Sequence, residues 1–180
     1  MRQTRSMILA GLFAALTAVG TMLRIPTPVS SFTMQMLFTA MAGILLGRNW
    51  GAASQAVYVA LGIAGLPIFT TGGGVSALLQ PTGGFLPGLI LSAWVTGWAA
   101  ERKGGSTGSI FAACLLGLAA LYAVGLPWMH VILTVYLRQD WSPAQTIWSG
   151  MVIFLPWDLL KALLTALLCA RIRPALRPLL

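Results

Sequence analysis

Between Arg48 and Glu101 the chain carries no charged residue. A soluble surface would interrupt so long an interval, because charged residues make up about a quarter of an ordinary globular chain. The interval is too long for one membrane span and right for two joined by an uncharged loop. Composition points the same way: 58% of residues are hydrophobic and 8% charged, with a mean hydropathy of +0.86. The expected fold is therefore an all-α integral membrane protein, since a helix satisfies its own backbone polar groups in hydrocarbon. A formal charge of +8, from 11 Lys+Arg against 3 Asp+Glu, would suggest nucleic acid in a soluble protein. Here it reads as topology.

Breaking the apolar runs at charges and at Pro/Gly clusters predicts six transmembrane helices, at about 7–23, 33–46, 51–66, 84–100, 109–137 and 144–170, in a single transmembrane domain spanning 1–180. The last two carry Pro127 and Pro156, where kinks are expected. The first run is expected to be a retained helix and not a cleaved leader, because Arg24-Ile25-Pro26 follows it in place of a small-residue cleavage site. Arg2, Arg5, Arg48, Arg102, Lys103, Arg171, Arg173 and Arg177 fall on one side of this arrangement and only Arg24 and Arg138 on the other. Both termini are thus predicted to be cytoplasmic. The connections 24–32 and 67–83 face outward. Helical spans place the chain in an inner, phospholipid membrane.

One stretch breaks the apolar rule: Phe154-Leu155-Pro156-Trp157-Asp158-Leu159-Leu160-Lys161. Asp158 and Lys161 are three apart and share a helix face. In an unbroken last helix Asp158 would lie about 20 Å along the axis, near mid-bilayer. A charge there costs roughly 2.5–3.5 kcal/mol on insertion scales, so such a pair marks a pathway or a binding site. The alternative is a self-neutralising pair that fixes helix packing. Pro156 is expected to break the helix and leave free donors beside Asp158.

The segment Thr70-Thr71-Gly72-Gly73-Gly74 to Pro81-Thr82-Gly83-Gly84-Phe85 has the glycine density of a phosphate loop but no GK[ST]. Glycine there permits close backbone approach to a ligand, and Gln80 with Thr82 suits a neutral, hydrogen-bonding solute; the alternative is a flexible connector. Ala10, Ala14 and Ala18 line one face of the first helix with small side chains, for internal packing or for docking another subunit. Tyr122, Trp128, Trp141 and Trp148 lie toward the outer side, as a membrane-interface belt or as ligand-stacking faces. His130 stands without a second ligand residue, and Cys114 and Cys169 without metal spacing, so no metal is expected. No Walker motif is present, and uphill transport would need energy from partners.

Taken together, Phe32-Thr33-Met34-Gln35-Met36-Leu37-Phe38, Leu61-Gly62-Ile63-Ala64-Gly65-Leu66-Pro67, Gly72-Gly73-Gly74 through Pro81-Thr82-Gly83-Gly84-Phe85, Tyr122-x-x-Gly125-x-x-Trp128 and Leu155-Pro156-x-Asp158-x-x-Lys161 resemble the BioY family, the biotin-binding S components of energy-coupling-factor (ECF) transporters. The resemblance covers nearly the whole chain. It implies a six-helix S-component fold, capture of biotin from outside, no catalytic residue or cofactor, and delivery with a transmembrane coupling subunit and two ATPase subunits in a bacterial cell membrane. It further implies that Asp158 and Lys161 meet the ureido ring. Gln80, Pro81, Thr82, Gly83, Gly84 and Phe85 would complete the site with Thr33, Gln35, Gly73, Tyr122 and Trp128, while Ala10, Ala14 and Ala18 dock on the coupling subunit. Trp157 stands where the family usually has glycine, which predicts a narrowed site or an altered kink. Other readings are an S component for a different vitamin, a membrane enzyme using Asp158 as general base beside Lys161, and a structural subunit.

Overall fold

The computed structural model of the chain describes residues 2–26, 31–103 and 105–176. Its elements are α1 (Arg2–Met22), β1 (Arg24–Pro26), β2 (Ser31–Thr33), α2 (Gln35–Ile63), α3 (Phe85–Lys103), α4 (Thr107–Val131), α5 (Pro143–Ile147) and α6 (Leu155–Leu176). Among the described residues, three stretches are long and apolar enough to cross a bilayer by length and composition: Gln3–Met22, Thr107–Tyr136 and Pro143–Ala175. Arg177, and residues 27–30 of the expected outer connection, lie outside the described residues.

The helices are inside-out relative to those of a soluble protein. Along α6, Leu159, Leu160, Leu163, Leu164, Leu167 and Leu168 are exposed, while Asp158, Lys161, Ala162, Thr165, Ala166 and Cys169 are buried. Large apolar side chains outward and small or polar ones inward is the pattern of a helix solvated by lipid, where close backbone approach holds helices together. Glycine serves that purpose at the α2–α3 crossing: a Cβ on Gly97 would stand 2.6 Å from the Arg48 nitrogen.

The expected break between the second and third segments is a kink and not a loop. α2 runs through it with a single non-helical residue, Gly47, at φ 83 and ψ 170, a conformation that glycine adopts without penalty. The new arm's first donor would be orphaned there. Glu101 of α3 accepts from the Arg48 N–H at 2.9 Å and also pairs with its side chain at 3.7 Å.

The ends of the chain's long segments are built in three ways. The connection after α1 is a two-stranded antiparallel hairpin, Arg24 opposite Thr33 and Ile25 opposite Phe32. α4 runs through Pro127 and ends in a π-helical turn, Ile132–Tyr136. The segment 144–170 is not one helix. α5 is capped by Ser142 and Gln145 in a reciprocal box, a π-helical turn follows at Trp148–Val152, and α6 starts afresh at Leu155. Asp158 is therefore in a first turn, and its depth does not follow from counting residues along an unbroken axis.

Candidate functional site

Pro156 sits in the first turn of α6, where a missing N–H removes no helical bond. The Asp158 N–H is taken by the Phe154 carbonyl at 2.9 Å. A carboxylate in the first turn faces the positive end of the helix dipole. Lys161, three residues on, shares that face. Asp158 is 6% and Lys161 8% exposed. They form a close ion pair through Oδ1, and the Tyr122 hydroxyl of α4 donates to Oδ2. Lys161 Nζ also donates to the Thr33 carbonyl at 3.0 Å, fastening β2 to α6.

These groups are satisfied by one another without being saturated. An ionised carboxylate offers about four lone-pair positions and an ammonium three donors. Among the described residues, Asp158 uses two positions and Lys161 two donors. The pair can therefore still accept N–H groups at Asp158 and donate once more from Lys161. That combination suits a small polar group with N–H donors beside a carbonyl.

The pair looks into a partly open cavity of about 110 Å³. Several parts of the chain line it, Ala77 of the short 3₁₀ helix Val75–Leu79 and Gly150 of the π-helical turn before α6 among them. β2 and the start of α2 contribute Thr33, Gln35 and Met36; the turn before the 3₁₀ helix contributes Phe69, Thr70 and Thr71. Thr82, Gly83, Phe85, Leu86 and Leu89 come from the head of α3, Leu121 and Tyr122 from α4, and Phe154 with the ion pair from the head of α6. Mostly apolar walls with a few convergent polar groups are what a ligand pocket requires.

The predicted residues divide accordingly. Thr33, Gln35, Thr82, Gly83, Phe85, Tyr122, Asp158 and Lys161 are brought together on the cavity wall. Gln80, Pro81, Gly84, Gly73 and Trp128 are not on it. Gln80 and Pro81 build the turn that launches α3, with the Gly83 N–H donating to the Gln80 carbonyl at 2.8 Å; proline suits the second position of such a turn. Gly73 stands behind the turn, where a Cβ would lie 2.7 Å from the Leu66 carbonyl carbon. Trp128 donates to the Leu78 carbonyl at 3.0 Å and so pins the 3₁₀ helix from outside.

The spacing Tyr122-x-x-Gly125-x-x-Trp128 thereby acquires a physical meaning. The three residues share one face of α4 and interlock with Gly84-Phe85. Phe85 packs edge-on against Tyr122 at 6.3 Å and fills the space over Gly125, while the Trp128 ring fills the space over Gly84.

The structure also places the α1 alanines and Trp157. Ala10 and Ala14 are buried at 5% and 4% and belong to the core, with Ala18 half-buried, so that face of α1 is turned inward. The exposed small residues are Gly11 and Ala15, one position on, flanked by exposed Ile8, Leu12 and Val19. Trp157 does not narrow the cavity. It is 55% exposed and packs edge-on against Phe32 at 6.2 Å, and Phe32 in turn lies 4.5 Å from Phe154. We expect Trp157→Ala to change ligand affinity by less than about threefold, or ~0.65 kcal/mol, measured by equilibrium binding; a tenfold change would put the ring in the site after all.

Sequence reasoning passed over Met36, Phe69, Leu86, Leu89 and Leu121. Apolar residues in an apolar chain carry no periodic signal that separates a cavity wall from a core or a lipid face.

A sequence model of the BioY family matches residues 1–178. The chain belongs to the BioY family. A protein of Lysinibacillus sphaericus named a probable biotin transporter BioY is 40% identical over 98% of this chain and 90% of its own length. The biotin transporter BioY of Thermotoga maritima is 37% identical over 94% of this chain and 96% of its own. The fold matches a crystal structure of the S component for biotin from an ECF-type ABC transporter, with a TM-score of 0.83 and 24% identity over 96% of this chain and 92% of that one. As a BioY chain with lipid-facing leucines, it is a membrane protein and no enzyme.

Proposed function

We propose that this BioY chain captures biotin in the cavity headed by Asp158 and Lys161 and serves as the substrate-binding subunit of biotin uptake. The observation that carries the chemistry is the unfilled hydrogen-bonding capacity of the buried pair. A cyclic urea presents N–H donors and a strong carbonyl acceptor within one small ring. Asp158 accepts from the N–H groups and Lys161 donates to the urea oxygen, both through charge-assisted bonds. The thiophane ring lies against Phe85, Leu86, Leu89 and Phe154, where apolar burial contributes about 25 cal/mol per Å² before the costs of association. Thr33, Gln35 and the 69–71 turn meet the tail.

The finer architecture follows the same reading. Six spans arise when the two arms of α2 count separately and α1, α3, α4 and the α5–α6 unit complete the set. Arg48 beside Glu101 and Arg173 on the Ala100 carbonyl gather basic residues at the end away from the site, which favours that end and both termini as cytoplasmic in a bacterial inner membrane. A coupling subunit with two ATPases would supply energy, and on α1 the exposed Gly11 and Ala15 are better suited to close docking than buried Ala10 and Ala14.

The test is saturable binding of radiolabelled biotin to the purified, detergent-solubilised chain, competed by unlabelled biotin and not by thiamine or riboflavin. A folded chain that shows no such binding sinks the biotin reading.

A further inference from the structure

Tyr58 lies in the second arm of α2 and is fully buried, at 0% exposure. It does not touch the cavity. A buried phenol needs its hydroxyl satisfied, and this one is met from three directions. Gln35 Nε2, at the start of α2, donates to it at 2.9 Å. The hydroxyl donates to the Ile68 carbonyl at 3.1 Å. The Thr21 hydroxyl at the end of α1 is 2.9 Å away. One proton and two lone pairs are all engaged when Thr21 donates here and not to the Thr17 carbonyl, 3.0 Å from it.

Two of those partners lead into separate segments of the lining. Gln35 lines the cavity and accepts from the Thr33 hydroxyl at 2.9 Å, and the Thr33 carbonyl holds Lys161. Ile68 leads into the turn whose Phe69 and Gly72 exchange backbone hydrogen bonds at 2.8 and 3.1 Å. The Phe69 ring stands edge-on to Tyr58 at 5.5 Å, over Gly62, where no Cβ would fit.

We propose that Tyr58 is a positioning residue for the biotin site, setting the Gln35 amide and the Phe69–Gly72 turn from behind with one hydroxyl. The ligand in this statement rests on the biotin reading; the geometry does not. Among the described residues, no other hydrogen bond joins the head of α2 to that turn through one side chain. Loss of the hydroxyl frees both segments together, although neither loses a group that touches ligand.

Tyr58→Phe removes the hydroxyl and keeps the ring on Phe69. In the ligand-free full chain, hydrogen exchange at the Phe69 and Gly72 amides is expected to quicken by about tenfold or more, with Leu118 and Leu121 of α4 unchanged. Biotin dissociation is expected to quicken by about five- to twentyfold. Gln35→Leu is the second variant: Tyr58 still holds Ile68, so exchange at Phe69 and Gly72 stays within about twofold. In the double variant the loss of affinity is smaller than the product of the single losses, because both substitutions break the same contact. Unchanged exchange at the turn in Tyr58→Phe, equal loosening by Gln35→Leu, or multiplicative losses overturn the proposal. A wild-type chain that binds no biotin, with a turn that still loosens in Tyr58→Phe, removes the biotin reading and leaves the positioning role standing.

Discussion

Asp158→Asn is expected to weaken biotin binding by about 100-fold or more. The asparagine has one carbonyl acceptor where the carboxylate has two oxygens, and it turns an NH2 group toward a neighbour that itself donates. Tyr122 and Lys161 both donate to Asp158, so one of them loses its acceptor. The neutral oxygen also forfeits charge assistance toward the ligand's N–H groups. Truncating one member of a buried, hydrogen-bonded charge pair at a binding site costs roughly 2–5 kcal/mol, much of it the burden of the unpaired partner. At about 1.4 kcal/mol per decade, that range spans two orders of magnitude around the stated loss. Equilibrium binding of radiolabelled biotin, with thermal unfolding as the control, measures it. An affinity within twofold of wild type would falsify the assignment of Asp158 to the ligand.

Lys161→Met is expected to have the largest effect on stability. It leaves a buried carboxylate with the Tyr122 hydroxyl alone, and breaking a buried pair by removing one partner costs about 3–5 kcal/mol. It also releases the Thr33 carbonyl, and with it the fastening of the hairpin to α6. Asp158→Leu/Lys161→Met removes both charges. Replacing a buried pair by apolar residues of similar volume is often neutral or stabilising, so the double variant should recover most of the lost stability, less the cost of a Tyr122 hydroxyl without its acceptor. It should not recover biotin binding. The two readouts separate a binding pair from a packing device: a double variant that folds and binds biotin normally would show that the pair only fixes helix packing.

Much of this site was legible in one stretch. Two ionisable residues three apart in an apolar chain have to face each other or a ligand, and the environment makes any other arrangement too costly. The membrane setting, the break near Gly47 and the restart at Pro156 were legible for similar reasons, since charge, glycine and proline act through the local backbone. The Tyr122, Gly125 and Trp128 spacing was visible as a pattern, but its use was not. Tyr122 reaches Asp158, whereas Trp128 closes on Gly84 and Leu78. The small face of α1 was visible as a pattern, but not that Ala10 and Ala14 pack into the core, because alanines recurring every four residues look alike whether they meet the core or a partner.

The sequence by itself determined that the chain belongs in a membrane and that Asp158 and Lys161 form a pair. Those properties follow from solvation and from contacts within one turn. Only the tertiary structure decided which residues face the cavity, that Trp157 lies against the hairpin, and that Tyr58 joins Gln35 to Ile68. These depend on the rotation of each helix against its neighbours and on partners far apart in the chain, as Thr33 and Lys161 are. Local spacing carries no record of either.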